Sequence, residues 1–162
     1  MTPVEDQLKK DQCLLVEGIL TVFGSDGSGW GQGTLFRDGT DAPVTLSPAQ
    51  LAETHPAKMC LLGAAQFVGI QLWGIKPIAN PYGGPLDAIR YGGTREWDES
   101  RSGAHLLTSL WDAEGGEAII AFNDDEGRTW PEVQERLITL KEKVCATQVA
   151  DSSAEEVAVG SA

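Results

Sequence analysis

The sequence predicts a mainly α fold: a compact bundle of about five helices, with a small β-hairpin and one long irregular loop. Three observations carry this. Apolar residues recur at spacings of three and four through residues 8–23, 60–72 and 130–144, as one buried helical face requires. Two helix starts are marked chemically, at Ser47-Pro48 and at Thr129-x-x-Glu132. The N-terminal half has one good β signal, residues 35–46. At 162 residues the chain is long enough for one domain with its own core, assigned to residues 1–146.

In chain order, residues 4–23 read as a helix whose face holds Leu8, Leu15, Ile19 and Val22, widened by Leu14 and Phe23, with Lys9, Lys10 and Asp11 on the wet side. Asp11-Gln12 weakens its first two turns, and Gly24 stops it. The Gly24–Thr34 loop, GSDGSGWGQGT, is the most distinctive local composition in the chain. Backbone N–H groups of such a loop can cradle phosphate, but there is no Gly-Lys-Ser/Thr ending and no preceding strand. A loop that folds Trp30 back onto the core is the favoured reading. Leu35-Phe36, a turn at Arg37-Asp38-Gly39, and Pro43–Leu46 form the hairpin.

Ser47 and Pro48 then supply an N-cap and a first helical residue for a short helix ending near His55-Pro56. A helix from about Ala57 to Trp73 has few polar positions and should be the central buried one. Residues 74–103, with Pro77, Pro81, Pro85 and two Gly-Gly pairs, break the pattern and read as an irregular loop or insertion. Ala104–Ala113 resumes as helix. An apolar run, Ala118–Phe122, meets an acidic turn, Asn123–Gly127. Thr129 and Glu132 have capping-box spacing with Pro131 in the first turn, and Trp130, Val133, Leu137, Leu140 and Val144 share one face of the helix they open. Residues 147–162 have the composition of a disordered acidic tail.

The charge is unusual: −12 overall, with an isoelectric point near 4.4. Residues 96–126 hold nine acids against Arg101, a net −8. That field repels nucleic acid and anionic membrane, so neither is an expected direct partner. It favours a protein with a basic surface, or simply solubility. Cys13, Cys60 and Cys145 include no C-x-x-C pair, so no disulfide scaffold and no metal site is expected. With no leader or spanning segment in view, the chain reads as cytoplasmic with reduced thiols.

Two chemistries are suggested by the residue types. Cys60, His105 and Asn123 stand in the order of a thiol hydrolase, with Cys60 near a helix start. Cys60 lies between Met59 and Leu61-Leu62, however, where a cysteine more often serves as a small buried hydrophobe. The acids at 123–126 suggest calcium, but the alternating register of a calcium loop is missing. No cofactor is expected.

Gly29-Trp30-Gly31-Gln32-Gly33, then Met59–Ala64, then Ala121-Phe122-Asn123-Asp124 followed by Gly127-Arg128-Thr129 and Glu132-Val133 resemble the ordered motifs of an uncharacterised domain family of actinobacteria and their phages. The resemblance covers most of Cys13–Val144 outside 74–103. It departs at Gly31, where the family pattern carries Cys. The family implies no known activity; it suggests a phage accessory role.

The function expected is therefore that of a small, acidic, non-enzymatic protein that binds another macromolecule, modulating a host protein or mimicking nucleic acid. Its candidate binding residues are Trp30, Gln32, Asp98, Glu99, Asp112, Asn123 and Asp124. The alternative is a thiol-dependent hydrolase or nucleotide-type ligand binder sited between the glycine loop, Cys60 and Asn123.

Overall fold

The computed structural model describes residues 3–74, 102–111 and 116–160, with side chains over 5–74, 103–111 and 116–145. Among these are six helices: α1 (Pro3–Phe23), α2 (Pro48–Glu53), α3 (Leu61–Trp73), α4 (Ser102–Trp111), α5 (Glu117–Asp124) and α6 (Trp130–Gly160). A three-stranded antiparallel sheet is built from β1 (Phe36–Arg37), β2 (Pro43–Val44) and β3 (Lys58–Met59) in the order β2-β1-β3. The protein is mainly helical, as its patterning requires.

α3 is the central element and packs against α1, α2, α4 and α5. Leu61, Ala64, Ala65, Phe67, Val68 and Ile70 are all buried, so most of its circumference faces protein. Its closest neighbour is α4. A Cβ added to Gly103 would collide with the Ala65 carbonyl, so these two backbones touch because Gly103 has no side chain. α1 lies across α3, α4 and α6. Its buried stripe is Leu8, Gln12, Leu15, Val16, Ile19 and Phe23, whereas Leu14 is 48% exposed and Val22 only half-buried.

The helical period therefore selects Val16 over Leu14. It also turns Asp11 and Gln12 inward. Gln7 Nε2 donates to Asp11 Oδ1 (3.0 Å) and Gln12 Nε2 donates to Ser109 Oγ on α4 (3.0 Å), so the expected weak point of α1 is a polar tie.

The hairpin registers Phe36 with Val44 and Arg37 with Pro43. A third strand extends the hairpin. Lys58 and Met59 pair with Arg37 and Phe36, and α3 consequently starts at Leu61 rather than near Ala57. Ser47 caps α2 as expected: its Oγ accepts the Gln50 N–H (3.2 Å), and Gln50 Oε1 accepts the Ser47 N–H (2.8 Å).

The second marked start opens α6. Glu132 Oε1 accepts both the Thr129 N–H (2.9 Å) and its hydroxyl (3.0 Å), and these bonds hold the Glu132 carboxyl below its ordinary pKa. Val133, Leu137, Leu140 and Val144 are buried along one face. Residues 147–160, assigned by composition to a disordered tail, continue α6 as helix in the backbone. Their Ala and Glu content is compatible with that state.

Cys13 of α1 and Cys145 of α6 form a disulfide with Cα atoms 5.2 Å apart, and Cys60 is free and buried. The expectation of three unpaired thiols is corrected here. The partners lie 132 residues apart and meet only because α1 packs along α6, a juxtaposition that no local pattern announces. Reduction, or replacement of both residues by Ser, is expected to lower the unfolding free energy by up to about 5 kcal/mol on the chain-entropy account. Denaturant midpoints measured with and without a dithiol will read this out.

Candidate functional site

The three sequence motifs converge on one residue. Asn123, in the last turn of α5, is completely buried. Its Oδ1 accepts from Trp30 Nε1 (2.8 Å) and from the Leu61 backbone N–H (2.9 Å). Its Nδ2 donates to the Gly31 carbonyl (3.0 Å) and to Asp124 Oδ1 (2.8 Å). A side-chain amide offers two acceptor and two donor positions, and all four are used.

The loop around Trp30 is stitched down on both sides of this amide. Gln32 Nε2 donates to the carbonyls of Asn123 (2.8 Å) and Asp125 (3.2 Å), and the Gly33 N–H donates to Asp124 Oδ1 (2.9 Å). Across the loop, the Gly31 N–H donates to the Met59 carbonyl and the Met59 N–H to the Gly29 carbonyl. Arg37 Nη2 holds the Gln32 carbonyl from β1 (2.8 Å). These bonds bind the glycine loop, β3 and the α5 terminus into a single clip.

The clip also finishes two helix ends. The first N–H groups of α3 have no partner within that helix; Asn123 Oδ1 takes that of Leu61, and Cys60 Sγ takes that of Gly63 (3.3 Å). At the end of α5, Gln32 takes the Asn123 carbonyl and Arg128 Nε takes that of Phe122 (2.8 Å). Arg128 lies over the Phe122 ring, 4.0 Å from its centroid, and pairs with Asp125 and Glu132 at 3.1 Å each.

Trp30, Gln32, Asn123, Asp124 and Cys60 are thus brought together, Trp30 and Gln32 half-buried and Asp124 exposed. His105 is buried on α4. The Asn123 amide has no position left with which to orient it. Burial pushes the Cys60 thiol up; the N–H groups of Gly63 and Leu62 oppose this, and the charge of Asp124 adds to it. A thiol pushed up in this way holds less thiolate near neutral pH, and the thiolate is the nucleophilic form. Asp98, Glu99 and Asp112 lie outside the described residues. Of the acids at 124–126, Asp124 is engaged by Gly33 and Asn123, and Asp125 by Arg128.

A family of unknown function, DUF6197, matches residues 26–140. That interval holds all three motifs and every bond of the clip. The chain belongs to this family. No curated protein and no solved structure matches it. In this DUF6197 member the matched segment begins after α1 and ends five residues before Cys145, so both disulfide cysteines lie outside it.

Among the described residues, a groove lies away from the clip. About 870 Å³ in volume, it runs between α1 and α6, with Leu20 and Ile138 as apolar surface and Glu17, Lys141 and Glu142 as charged rim. Ile138 is 41% exposed. Sequence reading missed this groove because its rims come from the two ends of the chain. Among the described residues no helix is long and apolar enough to cross a membrane.

Two outcomes follow from the clip. Asn123→Ala leaves the Trp30 indole N–H, the Leu61 N–H and the Gly31 carbonyl without their partner, and should cost about 3 kcal/mol or more by denaturant unfolding. Asn123→Asp keeps the acceptor but sets a carboxylate against Asp124 and the Gly31 carbonyl, and should be no better. Cys60 in the reduced, folded chain should react with a thiol reagent far more slowly near neutral pH than in denaturant. Equal rates would mark an activated thiol.

Proposed function

We propose that this chain is a small acidic binding protein that holds a basic amphipathic segment of another protein in the α1–α6 groove. The observation that carries this reading is the groove itself: an exposed Ile138 beside Leu20, rimmed by the carboxylates of Glu17 and Glu142 and by Lys141. An apolar strip between charged edges suits a helix whose apolar face seats inward with basic residues at its flanks. The net charge of −12 favours the same class of partner by long-range attraction.

The saturated clip supports a non-catalytic reading. Its polar groups are spent on the fold, and its one thiol is buried. The resemblance to actinobacterial and phage sequences makes the cytoplasm of such a host the setting of this proposal, with the partner a host or phage protein.

The test is affinity capture followed by site-specific variants. Ile138→Asp should abolish capture of a partner that the unmodified chain retains. Glu17→Gln with Glu142→Gln should weaken it and flatten its salt dependence. Capture unchanged by Ile138→Asp sinks the groove. If capture fails instead with amide variants of Asp98, Glu99 and Asp112, the acidic stretch is the binding face.

A further inference from the structure

We propose that Cys13, Glu17 and Cys145 form a binding site for a zinc-class divalent ion, available only when the Cys13–Cys145 disulfide is reduced. The three residues are assembled by two helices. Cys13 and Glu17 are four apart on α1 and therefore share a face. α6 delivers Cys145 to that face because Leu137, Leu140 and Val144 seat it in the core.

One ligand atom from each residue lies within 4.8 Å of the others. Glu17 Oε1 is 2.9 Å from Cys13 Sγ and 3.6 Å from Cys145 Sγ. In a tetrahedral zinc site the ligand atoms sit roughly 3.5–3.8 Å apart, given bonds of about 2.3 Å to sulfur and 2.0 Å to oxygen. The carboxylate oxygen is already at that spacing from Cys145 Sγ, and lies closer than that to Cys13 Sγ. The sulfur–sulfur separation must open, which reduction allows, and the Cys13–Glu17 distance must lengthen by about 0.6 Å to reach the tetrahedral spacing.

The chemistry makes the two states exclusive. Bonded sulfurs carry no thiolate charge and are poor ligands for zinc. A dithiol reductant gives two electrons and two protons to the bond, leaving two thiols here and a disulfide on the reductant. Metal uptake then releases both thiol protons to solvent. The sulfurs sit on buried residues, at 3% and 5% exposure, while Glu17 is exposed and lines the groove with Cys145. Three protein ligands leave the fourth position open on the groove side. The site shares Glu17 with the rim of the groove, and its test uses the isolated chain with no partner present.

The probe is cobalt(II), added to the full chain after reduction by a phosphine and then displaced by zinc. One cobalt per chain, with the intense absorption of thiolate-to-cobalt charge transfer, is expected for the reduced protein and none for the disulfide form. Cys13→Ser and Cys145→Ser should each remove that absorption, and Cys60→Ala should leave it. Glu17→Gln, which keeps the disulfide and needs no thiol to fold, should weaken cobalt binding at least tenfold after reduction. The proposal is overturned if the reduced chain shows no such absorption, whether folded or not. Absorption that survives Cys145→Ser, or an unchanged affinity in Glu17→Gln, overturns it equally.

Discussion

The arrangement of this protein depends on one buried side-chain amide. Asn123 is fully enclosed, and its four hydrogen-bonding positions meet a tryptophan indole, a helix N-terminus, a loop carbonyl and a neighbouring carboxylate. A buried amide with a missing partner would cost more than a buried apolar group, so completeness makes it a fastener. It fixes three segments that are distant in sequence: the loop at 29–33, the start of α3 and the end of α5. Asp would lack the two donors, and Leu would leave three partners unmatched. The residue type is therefore dictated by the site.

Much of the fold was legible because local chemistry marks it. Ser47-Pro48 and Thr129-x-x-Glu132 announced helix starts, and both stand where expected, with the reciprocal box formed at Ser47 and only its Glu132 half at Thr129. The ladder from Val133 to Val144 named a buried face by period alone. Legibility failed where the decisive partner was remote. Ala118–Phe122 is too short to declare its period, and α5 extends through Asn123 and Asp124 because the core accepts Ile119 and Asn123 four residues apart. Lys58-Met59 is a strand only because β1 lies beside it.

The candidate site was half legible for the same reason. The glycine loop, Cys60 and Asn123 could be singled out as unusual, and they do meet. What they do together could not be read, since Asn looks alike in a turn, in a triad and in a clip. Hydrogen-bond saturation separates these roles, and it is a property of surroundings. Cys13 and Cys145 carried still less signal: each sits in helical sequence, and their meeting follows from the packing of the first helix on the last.

These facts divide the molecule by remaining capacity. The segment matched by DUF6197 contains the clip, where indole, amide, carboxylate and backbone groups are matched to one another. A ligand at the Asn123 amide itself would have to displace one of these partners. The α1–α6 seam is the opposite case. It joins the two ends of the chain, leaves Ile138 in water, lines its edge with Glu17, Lys141 and Glu142, and keeps a reducible sulfur pair at its border. Binding requires groups whose interactions are incomplete in the free protein. In this chain the most distinctive sequence is therefore spent on architecture, and the apolar and charged surface left open lies on the less distinctive helices α1 and α6.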